Sequence, residues 1–102
     1  MKKRRSVADC FVLRLFVTGS TRRSREAVAD VKTVCERHLK GRYKLEVVDV
    51  YQDPSEAESD QIVALPTLVK KLPLPLRKII GSFRDQEQVL AILGVRPLRR
   101  ST

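Results

Sequence analysis

Two cysteines, one histidine, five aromatic residues and no tryptophan leave this sequence short of the side chains most chemistry uses. Cys10 and Cys35 stand 25 positions apart with no second thiol beside either, which excludes a CxxC redox pair and a cysteine zinc site. Their surroundings suit one thiol at a strand start and one on the buried face of a helix. His38 shares the helical stripe of Cys35 and reads as a packing residue, not a general base. With so few aromatics, a nucleic-acid surface would lack its usual stacking platform. The first 18 residues hold no long apolar h-region, and no later run approaches the roughly 18 uninterrupted apolar residues of a membrane span. The expectation is a cytoplasmic protein with no membrane partner.

Acidic residues are also scarce, 12 against 21 basic, for a net charge of +9. Much of the excess sits at the two ends. Lys2, Lys3, Arg4 and Arg5 open the chain and Arg96, Arg99 and Arg100 close it; setting those seven aside leaves 14 basic against 12 acidic residues. Basic tails beside a near-neutral body are solvated segments that attach weakly and salt-dependently to polyanions. At 102 residues the chain has room for one core. The expected organisation is a basic segment at 1–9, one domain at 10–95 and a basic tail at 96–102.

Within the body, Phe11 to Val17 is apolar on both faces except for Arg14, which predicts a central strand covered on two sides. Gly19 breaks the run, and Ser20, Thr21 and Ser24 can cap a following helix. Ala27, Val28, Val31, Val34, Cys35, His38 and Leu39 recur at three- and four-residue spacing before Gly41 stops them. Tyr43 to Val50 alternates as a second strand, so the run predicts a right-handed parallel βαβ crossover. Asp53-Pro54-Ser55-Glu56 resembles a capping box and predicts a short acidic helix.

Residues 62 to 83 combine core-forming side chains with three prolines. Pro66, Pro73 and Pro75 each lack a backbone donor and push Leu65, Leu72 and Leu74 away from helical geometry, so the segment must be built of short pieces. Thr67 to Lys71 and Arg77 to Ile80 are expected as an antiparallel pair around a proline-shaped turn, ended by Gly81. Asp85 and Gln88 then start a last helix whose end Gly94 marks. The resulting order, βαβαββα with a proline before the third strand, is that of a thioredoxin-like α/β fold. A redox enzyme of this fold needs a low-pKa cysteine at the start of the first helix, where this chain has Gly19, Ser20, Thr21, Arg22 and Arg23. The scaffold therefore reads as a binding module, not an enzyme, with no cofactor and no metal.

Phe-Val-Leu-Arg-Leu-Phe-Val-Thr-Gly-Ser-Thr at 11–21, Leu-Glu-Val-Val-Asp-Val at 45–50 and Asp53-Pro54 resemble the opening strand, second strand and following step of the KaiB proteins of the bacterial circadian clock. The strongest motif is Ile-Val-Ala-Leu-Pro-Thr-Leu-Val-Lys at 62–70, continuing through Leu-Pro-Leu-Pro-Leu-Arg-Lys-Ile-Ile-Gly at 72–81. The resemblance covers about residues 11 to 95. It implies a metamorphic protein: a ground state, homodimeric or homotetrameric, with the order βαββααβ, and a rare monomeric thioredoxin-like state. It also implies that the rare state binds the ring ATPase KaiC, displaces a histidine kinase from it and, in cyanobacteria, sequesters KaiA. Leu65, Ser82, Arg22 and Glu46 depart from common family residues, and Arg-Pro-Leu-Arg-Arg-Ser-Thr at 96–102 replaces the usual acidic tail. These departures suggest a divergent or non-cyanobacterial member.

The residues expected to meet a KaiC-type partner are Lys44, Glu46, Asp53, Glu56, Glu58, Asp60 and Leu68. Pro66, Pro73, Pro75 and Gly81 are expected to govern the switch, because two packings of one sequence need a gap of only a few kcal/mol and this segment satisfies neither packing fully. Arg14, Arg77 and Lys78 are expected to form a basic or oligomer-forming surface. The plainer alternative is a single thioredoxin-like fold with one fixed cis bond at Pro66. Two other functions compete: a nucleic-acid-associated protein using its basic ends, and a thioredoxin-like redox protein, which the missing CxxC opposes.

Overall fold

The computed structural model describes residues 10–95; the two basic ends fall outside them. Seven elements follow in the expected order: β1 (Phe11–Val17), α1 (Arg22–His38), β2 (Tyr43–Asp49), α2 (Pro54–Ser59), β3 (Thr67–Leu72), β4 (Arg77–Ile80) and α3 (Gln86–Leu93). The sheet order is β2-β1-β3-β4, with β2 parallel to β1 and the other two pairings antiparallel. β1 is thus central, as its two apolar faces require.

Alternation along β1 divides the core between the two faces of the sheet. Phe11, Leu13, Leu15 and Val17 join Leu68 and Ile79 under α1 and α3, whose Val31, Val34, Cys35, Leu90 and Leu93 are each almost fully buried. Phe16, Val48 and Val69 form a smaller cluster on the opposite face, against Ala57, Ile62 and Leu65 of the α2 region. Arg14 lies on that second face, one pleat from Phe16, with its guanidinium 5.5 Å from the Phe16 ring centroid.

Local chemistry accounts for the boundaries. Of the three candidate caps for α1, Thr21 does the work: its Oγ1 accepts from the Ser24 backbone N–H at 3.1 Å. Ser24 is instead buried and ties the helix back to β1, its hydroxyl donating to the Thr18 carbonyl at 3.1 Å. Asp49 Oδ1 accepts from the backbone N–H groups of Gly19 and Tyr51, joining the loops that leave β1 and β2. Asp85 caps α3, and Gly94 ends it at φ +77, a left-handed position open to glycine.

α2 differs from its expected start. Asp53 is the N-cap, but no side-chain hydrogen bond caps the helix. The capping-box glutamate, Glu56, points to Arg14 instead. The proline segment has Leu65–Pro66, Leu72–Pro73 and Leu74–Pro75 all cis, where the plainer alternative had one fixed cis bond at Pro66. Gly81, at φ +107, closes β4 by donating its N–H to the Pro66 carbonyl at 3.1 Å.

Candidate functional site

Of the expected partner residues, Lys44, Glu46, Asp53, Glu56, Glu58 and Asp60 lie on or beside the α2 side of the sheet and Leu68 lies in the core on the other side, and they fall into three groups. Arg14 of β1 is the centre of the first. Its Nε contacts Glu46 of β2 at 3.0 Å, its Nη2 contacts Glu56 of α2 at 2.5 Å, and its Nη1 contacts Asp60 at 3.3 Å. Asp60 also accepts from Lys71 Nζ at 2.7 Å. One arginine therefore links β1, β2 and α2, and Asp60 extends the network to β3.

Burial grades these pairs. The side chains of Arg14 and Asp60 are 15% and 7% exposed, whereas that of Glu46 is 60% exposed. An exposed pair such as Arg14–Glu46 contributes about 0–1 kcal/mol, but removing one member of a buried pair strands its partner and costs about 3–5 kcal/mol. Burial opposes the Arg14 charge, yet the hydrogen bonds it donates to Glu56 and Glu46 outweigh it and hold the guanidinium above its ordinary pKa. Arg14 is a neutralised hub. Of the expected basic surface of Arg14, Arg77 and Lys78, the last two are exposed on β4, with Lys78 Nζ donating to the Gln61 carbonyl at 3.2 Å, whereas Arg14 lies part-buried among carboxylates.

The second group is outward-facing. Lys44, Asp53 and Glu58 are exposed, and Asp53 makes no capping bond with its carboxylate. Between Leu45 and Val69 the sequence has six carboxylates and no lysine or arginine, so this segment is acidic in itself and its nearby cations, Arg14, Lys71 and Lys78, come from the neighbouring strands. The third group is Leu68 alone. It is 0% exposed in the main core, so in this fold its side chain packs the sheet and is not presented to a partner.

Sequence reading missed Lys70 and Lys71. Successive strand residues face opposite ways, so Lys71 reaches Asp60 while Lys70, 4% exposed, passes under α3 and donates to the Leu93 carbonyl at 3.0 Å. The available signal was their place in an otherwise apolar strand. The β1–β3 register shifts between Val12 and Leu13, skipping Lys71.

At the position a thioredoxin uses for redox chemistry, the start of α1 meets Pro66 around a cavity of about 160 Å³ lined by Arg23, Glu26, Asp30, Gly81 and Arg84. Neither cysteine lines it. Cys35 is buried on α1, and burial, followed by the charge of Glu36, pushes its thiol up to about 12. We expect a thiol reagent at pH 8 to label the partly exposed Cys10 of the native protein promptly and Cys35 only on denaturation; equal native rates would contradict this burial. Among the described residues no cluster of potential metal ligands occurs, and no helix is long and apolar enough to cross a membrane.

The comparisons with known proteins place this geometry. The KaiB domain family matches residues 14–95. Circadian clock protein KaiB3 of Synechocystis sp. is 42% identical over 84% of each chain, and circadian clock oscillator protein KaiB of Gloeothece citriformis is 49% identical over 78% of this chain and 76% of its own. Among solved structures, the N-terminal domain of Synechococcus elongatus SasA aligns with a TM-score of 0.71 and 26% identity over 92% of each chain. Chloroplastic thioredoxin z aligns with a TM-score of 0.68 at 22% identity, over 84% of this chain and 77% of that one, a likeness of fold alone. With the family domain spanning nearly all the described residues and relatives at this identity across most of their own length, the chain belongs to the KaiB family.

Proposed function

We propose that this chain is a non-catalytic, cytoplasmic regulator of a circadian or timer system that binds a KaiC-type ring ATPase in the thioredoxin-like arrangement and competes there with a histidine kinase. The observation that carries the reading is the shared shape of this KaiB-family chain and the SasA N-terminal domain across 92% of each. Two chains of one shape can occupy one surface in turn, and competition needs no reaction at either. The α2 face is the contact we assign, with Asp53 and Glu58 outward, Lys44 beside Glu46 on β2, and Glu56 and Asp60 setting the face from behind.

The KaiB-family relationship further supports a second arrangement, βαββααβ, that is homodimeric or homotetrameric. Pro66, Pro73, Pro75 and Gly81 are the positions we assign to the exchange, because prolines without backbone donors and a glycine at φ +107 limit which ladders the segment can complete. KaiA is a further partner where it is present.

The test is a pull-down of the full chain with a KaiC homologue and ATP, incubated long enough for slow exchange, followed by addition of the SasA N-terminal domain. We expect retention on the ring and its loss as the SasA domain rises. No retention after prolonged incubation would sink the reading. In parallel, NMR should show two slowly exchanging peak sets within residues 53–95 and one set for α1.

A further inference from the structure

We propose that Arg14 is the positioning residue of the partner face: from the central strand it fixes where α2 lies and decides which carboxylates α2 presents. The proposal rests on the reading of α2 as the face that meets the ATPase, and its first readout needs no partner.

α2 has little to hold it in place by itself. It is six residues long, contains no buried residue and has no side-chain cap at its N-terminus. A helix this short is not stable alone, and its own charges repel, since Asp53, Glu56, Glu58 and Asp60 fall within eight residues with no cation among them. Ala57 and Ile62 give the segment a modest apolar anchor. The compensating positive charge comes from the sheet, and the buried part of it is Arg14.

The geometry suits arginine specifically. Each of three guanidinium nitrogens meets a different carboxylate, on β2, in α2 and just beyond α2. A lysine ammonium is a point charge on a flexible stem and cannot reproduce this planar fork. β1 is paired along both edges, so the fork projects from an interior strand of the sheet. Asp60 uses one oxygen on Arg14 and the other on Lys71, and its side chain, 7% exposed, presents little of its carboxylate outside. Arg14 thereby ties up the buried Asp60 and also Glu56, whose side chain stays 44% exposed, and leaves Asp53 and Glu58 as the carboxylates of the α2 segment that it does not engage.

Amide hydrogen exchange on the full chain tests this, read at Asp60, Gln61 and Ile62, whose N–H groups donate to the carbonyls of Glu56, Glu58 and Ala57. Arg14→Gln should speed exchange there by about tenfold or more while α1 amides keep their rates, because it removes the ion pairs that tie Glu56 and Asp60 to β1 and leaves Lys71 alone to hold the segment, which favours local opening. Arg14→Lys should fall between wild type and Arg14→Gln, and Glu46→Gln, removing an exposed pair, should change the rates less than about twofold. Affinity for a KaiC homologue with ATP should fall in the same rank order.

Unchanged exchange in Arg14→Gln overturns the proposal. If that variant fails to fold, Asp60→Asn stands in its place, and wild-type protection of the three amides in it is equally fatal. Faster exchange with undiminished affinity overturns the positioning role. Failure of the wild type itself to bind overturns the assignment of the face under Proposed function, while the exchange ranking still decides whether Arg14 places α2.

Discussion

Leu68→Ala is expected to lower the stability of the thioredoxin-like fold by about 2–5 kcal/mol, the range for truncating a fully buried leucine. Leu68 is 0% exposed, sits in β3 opposite Leu15 on one side and Ile79 on the other, and shares the core under α1 and α3. Such a site has little freedom to collapse around the missing atoms, because strands on both sides fix its backbone. For a domain of this size each kcal/mol moves the melting temperature by about 4–8 °C, so a fall of at least about 8 °C should be seen. Urea denaturation gives the free energy directly. Where the variant is still folded, its affinity for a KaiC homologue should stay within about twofold of wild type, since a core residue acts on binding through the folded population. Near-normal stability combined with lost binding would show that Leu68 is presented in a different arrangement of β3.

That contrast marks where the sequence was legible. Element order, the central place of β1 and the antiparallel β3–β4 pair followed from local patterns: apolar runs, turn residues, caps and prolines. Thr21, Asp85 and Gly94 do what their residue types predict. The site was less legible because its contacts join distant parts of the chain. Arg14 meets carboxylates 32, 42 and 46 positions away, and nothing local to a lone arginine in an apolar strand says whether it faces solvent or a ring of acids. Glu56 illustrates the competition: its spacing from Asp53 suits a cap, but a part-buried guanidinium offers a charge-assisted bond, which is stronger than a neutral one. Leu68 follows an exposed helix in sequence, but strand pairing on both sides, not adjacency in sequence, decides that it faces the core.

Lys70 carries the other large expected effect, and its two substitutions should behave differently. The side chain is 4% exposed, and its ammonium donates to the Leu93 carbonyl at the C-terminal end of α3. A cation there satisfies a terminal carbonyl and complements the helix dipole. Lys70→Ala deletes both the buried stem and this bond, and should destabilise by about 2–4 kcal/mol. Lys70→Met keeps the stem and removes a charge that burial disfavours, so the two changes offset and stability at pH 7 should stay within about 1 kcal/mol. The pH dependence separates the variants further. Burial, followed by repulsion from Arg77, lowers the Lys70 pKa in the folded state. Between that lowered value and the ordinary lysine value of about 10.4, the unfolded chain binds more protons than the native one, so wild-type stability gains a rising contribution with pH. Below the folded pKa both states are protonated and the penalty is present in full. Tyr43, which its hydrogen bond to Glu36 and then burial hold up to about 12, acts in the opposite sense, but equally in both proteins. Subtracting the Lys70→Met stability curve from that of wild type across the alkaline range should therefore leave a rising difference. A flat one would mean that the ammonium is solvated and that the end of α3 is held by something other than Lys70.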